Sequence, residues 1–184
     1  MPDGFQFAVK GSRFCVTRPK LADAEEGVHN FLKQGLTALG AKLGPILWML
    51  AARRDFDHDD IARFLDLLPR EWDGVPLRHA IEPRHDSFRD EGFFALCRER
   101  EVAIVFGDDD EFPTIEADTA SFAYARLQRM RSDVPTGYDD VALDRFETHS
   151  RRWAKDGRDA YVFMINGAKE RAPAAALALQ ERLR

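Results

Sequence analysis

Residues 77–89, LRHAIEPRHDSFR, join a short candidate strand to a charged turn and then to a helix-like segment. The run at 77–82 is short and carries Leu77, Ala80 and Ile81, which favours a strand of a parallel sheet. Residues 87–100 follow with helical periodicity, opening with Ser87 as a candidate N-cap and directing Phe93 and Phe94 inward. This order predicts a βα unit, the building block of parallel α/β proteins.

The same unit recurs on both sides of this stretch. Five further runs have strand character, at residues 5–9, 46–50, 102–106, 122–127 and 160–165. Helical periodicity is found at residues 25–39, 57–68, 140–154 and 172–183. The first of these helices is followed by Gly40, a candidate C-cap, whereas residues 106–119 read as a long loop. We therefore predict a single α/β domain over residues 1–184, with about six parallel strands.

Composition narrows the function classes. The 184 residues carry 27 Lys and Arg against 32 Asp and Glu, a net charge of −5, which argues against a protein built to grip nucleic acid or anionic lipid. The two cysteines, Cys15 and Cys97, match no zinc spacing or disulfide framework and favour a reducing compartment. The first apolar run is too short for a signal peptide, and no run approaches the roughly 20 residues of a membrane helix. We expect a cytoplasmic protein.

Three stretches resemble the YecE-like family, known as domain of unknown function 72. They are residues 4–14 (GFQFAVKGSRF) with 42–48 (KLGPILW) at the family's distance, residues 77–89, and residues 157–163 (GRDAYVF) running on to residue 173. Together they cover nearly the whole chain. The resemblance implies a TIM-type (β/α) barrel, similar in shape to xylose isomerase and endonuclease IV. Because family members usually carry about two further βα units before residues 5–9, it also implies an incomplete, N-terminally truncated barrel.

In such a barrel, the side chains at the carboxyl ends of the strands form the active-site face. That rule selects the following residues, in chain order: Lys10, Glu82, Arg84, His85, Asp108, Arg126, Gln128 and Asn166. We assign Glu82 and His85 to catalysis as general acid and base. We assign Lys10, Arg84, Asp108, Arg126 and Asn166 to binding a small anionic ligand, sugar-like or phosphorylated.

Two alternatives remain open for the charged turn. Its Glu-x-Arg-His order also suits a structural network of salt bridges between neighbouring loops. Glu82, His85 and Asp108 are also residue types that bind divalent ions. However, no local spacing supports a metal site, so we assign no metal and leave the cofactor unknown.

Two other functions compete with the enzyme hypothesis. The chain is either a catalyst or a non-catalytic family remnant that associates, for example as a homodimer, through open strand edges at residues 5–9 and 160–165. A nucleic-acid enzyme similar to endonuclease IV is the third option. The net charge of −5 and the lack of a recognisable three-metal ligand set argue against it.

Overall fold

The computed structural model describes residues 4–184, which divide into two compact units. Within the described chain, the first unit comprises residues 4–104 and 117–120, and the second comprises residues 105–116 and 121–184. The strands are β1 (Phe7–Lys10), β2 (Leu43–Met49), β3 (Glu71–Trp72), β4 (Val75–Pro76), β5 (His79–Glu82), β6 (Val102–Ile104), β7 (Phe106–Asp108), β8 (Phe122–Leu127) and β9 (Asp159–Met164). The α-helices are α1 (Arg13–Val16), α2 (Glu25–Leu32), α3 (His58–Asp66), α4 (Glu91–Glu99), α5 (Asp140–Trp153) and α6 (Ala172–Leu183).

The first unit is built on a parallel sheet with the order β1–β2–β5–β6. Its central strand β2 is almost completely buried, as its near-continuous apolar sequence predicts. Gly44 permits a close approach in this sheet, because an added Cβ would lie 2.9 Å from the carbonyl oxygen of Phe7. Beneath the sheet, the buried ring of Trp48 packs edge-on against Phe31 and Phe64, at centroid distances of 5.4 and 5.8 Å.

The second unit contains a parallel sheet with the order β7–β8–β9. Helices α5 and α6 cover it, and their buried faces contribute Leu143, Phe146 and Leu179 to one apolar core with Leu127 of β8. Among residues 4–184, neither sheet closes on itself. The prediction of an α/β fold with parallel sheets and helices is confirmed, whereas a TIM-type barrel is not.

Most predicted elements are present, but several boundaries were wrong. The helix predicted at residues 25–39 ends at Leu32, because Gly35 adopts φ +90° and residues Leu36–Lys42 form a 3₁₀ helix. Gly40 is therefore not its C-cap. Ser87 does not cap α4 either: Asp90 Oδ1 accepts from the backbone N–H of Gly92 at 2.7 Å, and Ser87 Oγ accepts from Phe56 N–H.

Two strands were missed altogether. Asp73 and Gly74, with φ of 48° and 75°, form the tight turn between β3 and β4. Asp-Gly is a strong hairpin signal, so the sequence did carry this information. The loop predicted at residues 106–119 was also too long, because its first three residues form β7 against β8.

Candidate functional site

Three strands of the first unit end side by side at the candidate site. Met49 of β2 pairs with Glu82 of β5, and Lys10 at the end of β1 pairs with Leu47 of β2. The loops that follow these strands enclose a cleft of about 280 Å³, here called the basic cleft. Its lining consists of Lys10, Gly11, Arg13, Val16, Thr17, Met49, Leu50, Ala51, Arg53 and Arg84. Four of these residues are cationic, and none carries a carboxylate.

Glu82 and Arg84 form a nearly buried ion pair beside the cleft. The Glu82 side chain is 5% exposed, and its Oε1 accepts from Arg84 Nε at 3.0 Å and lies 2.9 Å from Arg84 Nη2. Such a two-point contact fixes the plane of the guanidinium. The carboxylate therefore holds Arg84 in the cleft wall, so the two predicted residues do meet.

Three further cations of the basic cleft differ from Arg84. Lys10, Arg13 and Arg53 are exposed, and none of them forms an ion pair with a carboxylate in the part of the chain that is described. Unpaired exposed cations are ordinary on a protein surface, but three of them in one concave site concentrate positive potential there. The cleft can therefore attract an anion without first breaking an internal salt bridge.

His85 has a different environment from Glu82. His85 is the N-cap of the 3₁₀ helix Asp86–Phe88, and its Nδ1 accepts from the Ser87 backbone N–H at 3.3 Å. The same Nδ1 lies 3.1 Å from Asp55 Oδ1. His85 does not line the basic cleft. This local network matches the structural alternative for the charged turn, while the acid–base role of His85 stays a prediction.

The predicted residues of the second unit gather at the ends of β7, β8 and β9. Asp108, 2% exposed, accepts at its carboxylate from Arg129, from Arg145 Nη2 at 3.2 Å and from the Tyr138 hydroxyl at 3.3 Å. Asp108 thus lies buried at the end of strand β7, although the sequence predicted a long loop at residues 106–119. The adjacent carboxylate and burial together raise the pKa of Tyr138, with burial the larger cause.

The other two residues assigned to ligand binding lie in the same unit. Arg126 is buried in β8. Asn166 follows β9 with φ +57° and donates from Nδ2 to Gln128 Oε1 at 2.5 Å, while the Gln128 backbone N–H donates to the Asp108 carbonyl. The side chain of Asn166 and the backbone of Asp108 are thus connected through Gln128. Their roles in ligand binding stay predictions.

Several site residues were not found from the sequence. Arg13 and Arg53 both line the basic cleft. Arg13 begins helix α1 three residues after β1 ends, and Arg53 lies in the loop four residues after β2 ends. The strand-end rule was applied only to the residues nearest each strand. Extending it by three or four residues into each loop would have found both arginines.

Two other kinds of feature are absent from the described residues. No group of three or more His, Cys, Asp or Glu side chains in residues 4–184 is placed to hold a metal ion. No helix in the same range is both long enough and apolar enough to span a membrane.

Comparisons with known proteins identify the family. A family model described as "Protein of unknown function DUF72" matches residues 1–184. The chain belongs to the DUF72 family. No curated protein matches this DUF72 chain.

Two solved structures are similar to this DUF72 protein. A crystal structure of a DUF72 family protein from Thermotoga maritima superposes with a TM-score of 0.74 at 22% identity, covering 97% of this chain and 73% of the other. A DUF72 family protein from Enterococcus faecalis gives a TM-score of 0.72 at 16% identity, covering 99% and 75%. At these identities the likeness shows a shared fold and carries no information on activity.

Proposed function

We propose that this DUF72 protein binds a small anionic molecule, sugar-like and phosphorylated or carboxylated, in the basic cleft. The observation that carries the proposal is the lining itself, in which four cations face one concavity without a carboxylate among them. The cleft volume of about 280 Å³ suits a small metabolite. Hydrogen bonds from charged donors to phosphate or carboxylate are among the stronger polar contacts in proteins.

Glu82 acts in this proposal by holding Arg84, because Oε1 already accepts from the guanidinium. A further role for Glu82 as a general base, with His85 as its partner, is part of the same proposal. Arg84 and Lys10 would then stabilise negative charge that develops on the bound molecule.

The experiment is isothermal titration with inorganic phosphate and with glycerol 3-phosphate at fixed ionic strength. Lys10→Gln and Arg53→Gln are the test variants, because both side chains are exposed and their loss should leave the fold intact. We expect each to weaken binding by about tenfold or more, the typical value of one charge-assisted hydrogen bond. Lys33→Gln removes the same charge at an exposed position outside the cleft and is the matched control.

The outcomes separate clearly. Equal weakening by all three variants would mean that only net charge matters, and the proposed site would be wrong. Absence of binding to the unmodified protein would contradict the proposal itself.

A second candidate function is self-association through sheet edges, and a groove beside β9 favours it. Strand β9 lies at the edge of its sheet, and Ala160, Val162 and Met164 line a groove of about 650 Å³ with Leu179 and Leu183 of α6. Exposed strand edges readily pair with another chain. Light scattering on a size-exclusion column would detect a dimer, which Val162→Lys should abolish and the exposed control Val141→Lys should not.

The domain organisation and the barrel topology are also part of the proposal. We infer that the strands of residues 1–184 belong to one domain, an incomplete TIM-type barrel. The succession of βα units and the single residue Val105 between β6 and β7 support it. Limited proteolysis that leaves residues 105–184 as an independently folded fragment would contradict it.

A further inference from the structure

A second cleft adjoins the basic cleft. It has a volume of about 240 Å³ and is lined by Thr17, Arg18, Pro19, Ala51, Arg53, Arg54 and Asp55. Three of these residues, Thr17, Ala51 and Arg53, also line the basic cleft. The two clefts therefore share a wall, and one ligand can extend across it.

The cations of the second cleft fall into two classes. Arg54 is compensated, since Nη1 lies 3.2 Å from Asp60 Oδ2 and both side chains are nearly buried. Arg18 forms no ion pair with a carboxylate within residues 4–184, and its guanidinium lies over the Phe14 ring at 4.3 Å from the centroid. The shared residue Arg53 likewise forms no ion pair with a carboxylate within residues 4–184. Two cations of this cleft are thus available to an anion.

One carboxylate lines the second cleft, and it has another contact. Asp55 Oδ1 lies 3.1 Å from His85 Nδ1, and its side chain is 77% exposed. A solvated carboxylate at the rim opposes an incoming anion only weakly, because water and salt screen it. The cleft therefore retains a positive character around Arg18 and Arg53.

The walls of the second cleft are fixed before any ligand arrives. Asp60 accepts from the backbone N–H groups of Leu21 and Ala22 at 3.1 and 2.9 Å. Arg54 donates to the carbonyls of Arg18 and Pro19, in the opposite wall. A site that is held in shape by such contacts loses little conformational entropy on binding.

We infer that the ligand carries two anionic groups, one bound by Lys10, Arg13 and Arg84 in the basic cleft and the other by Arg18 in the second cleft. Arg53, on the shared wall, reaches both. This inference rests on the proposed function, because it names the class of ligand for the same site. A ligand with one anionic group would fill the basic cleft and leave Arg18 without a partner. The second group is a phosphate or a carboxylate.

The experiment compares two pairs of compounds by isothermal titration at constant ionic strength. Fructose 1,6-bisphosphate against fructose 6-phosphate tests a second phosphate, and 3-phosphoglycerate against glycerol 3-phosphate tests a carboxylate. We expect the compound with two anionic groups to bind at least about tenfold more tightly in one or both pairs. The pair that shows the preference identifies the second group.

Variants then assign the preference to residues. Arg18→Gln should abolish it while leaving the affinity for the compound with one anionic group unchanged. Lys10→Gln should weaken both members of a pair by the same factor, and Lys33→Gln should change neither.

Three results would overturn the inference in distinguishable ways. Equal affinity within both pairs would leave the basic cleft as a single anion site and refute the second subsite. A preference that survives Arg18→Gln would place the second group elsewhere. Failure of all four compounds to bind would refute the proposed function together with this inference.

Discussion

At the scale of single residues, burial has its clearest effect on the pKa of His79. Its imidazole is buried in the first unit, where Trp48 Nε1 donates to His79 Nδ1 at 3.1 Å. His79 Nε2 lies 2.8 Å from the Pro69 carbonyl oxygen, so this nitrogen carries the hydrogen. Burial lowers the pKa of His79 to about 4, despite the opposing effect of the Pro69 contact.

The first prediction concerns stability against pH. The unfolded chain protonates His79 near its ordinary pKa of 6.5, whereas the folded chain does so only near 4. The unfolded state therefore binds more protons between these values, and stability falls as the pH drops from 6.5 to 4. We expect His79 to contribute a loss of about 3 kcal/mol over this window, at about 1.4 kcal/mol per pKa unit.

Denaturant unfolding at a series of pH values provides the measurement. Other titrating groups contribute to the slope, so the informative quantity is the difference between the parent and His79→Gln. That difference should vary with pH between 4 and 6.5 and be flat above 7. The exposed His58, changed to Gln, should leave the slope as it is. A parallel pair of curves for His79→Gln and the parent would refute the assignment.

The second prediction concerns Gly11, directly after β1. A Cβ at this position would lie 2.5 Å from a ring carbon of the buried Trp48, a distance that no packed structure tolerates. Gly11→Ala should therefore lower the free energy of unfolding by about 1–3 kcal/mol. Gly107→Ala is the matched control, since a Cβ there would lie an ordinary 4.0 Å from its nearest neighbour, Gln128 Nε2. Similar unfolding midpoints for the two variants would contradict this account.

At the scale of elements, Asp60 connects helix α3 to the loop that precedes α2. Its carboxylate accepts two backbone N–H groups and pairs with Arg54, and both side chains are nearly buried. Asp60→Ala leaves a nearly buried guanidinium without its partner, so we expect a loss of about 3 kcal/mol in stability. The control is Asp59→Ala, whose carboxylate is 88% exposed. Thermal unfolding would test this, and equal effects of the two variants would contradict it.

The element scale also shows how far local sequence rules reach. The bounds of α6 were predicted correctly, and the helix predicted at residues 57–68 is present as α3, with Asp57 as its N-cap, whose Oδ1 accepts from Asp60 N–H. These features depend on neighbours within four residues. The end of α2 was missed because Leu36 and Leu39 continue the helical spacing across Gly35. The spacing of apolar residues does not distinguish an α-helix from a 3₁₀ helix that carries leucines at the same spacing.

At the scale of the whole molecule, the basic cleft is positively charged although the molecule as a whole is negatively charged. The chain has a net charge of −5, yet four cations line one cleft of the first unit. The attraction to an anion is therefore local, and salt should screen the exposed contributors. We expect the affinity for inorganic phosphate to fall severalfold between 20 and 200 mM sodium chloride, two concentrations spanning roughly a Debye length of 20 to 7 Å. Lys10→Gln should make this dependence shallower, and an unchanged slope would argue against direct contact.

The candidate site was predicted less completely than the fold. Lys10 and Glu82 are the last residues of their strands, and Arg84 lies two residues after β5, so the strand-end rule found them. Arg18 and Arg54 line their cleft through loop conformations fixed by Asp60, whose carboxylate binds the backbone of Leu21, 39 residues earlier in the sequence. Long-range contacts of this kind leave no local pattern. Such contacts are seen only in the folded structure.

The placement of the indole rings has a spectroscopic consequence. Trp48 and Trp72 belong to the first unit, and Trp153 is buried in the second. Indole emission shifts to longer wavelength when the ring meets water, so each unit carries an intrinsic optical reporter. In Trp153→Phe, the remaining emission follows the first unit alone, and the hydrogen bond from Trp48 to His79 makes that signal sensitive to the protonation of the imidazole. The order in which the two units lose structure can thus be followed without an attached dye.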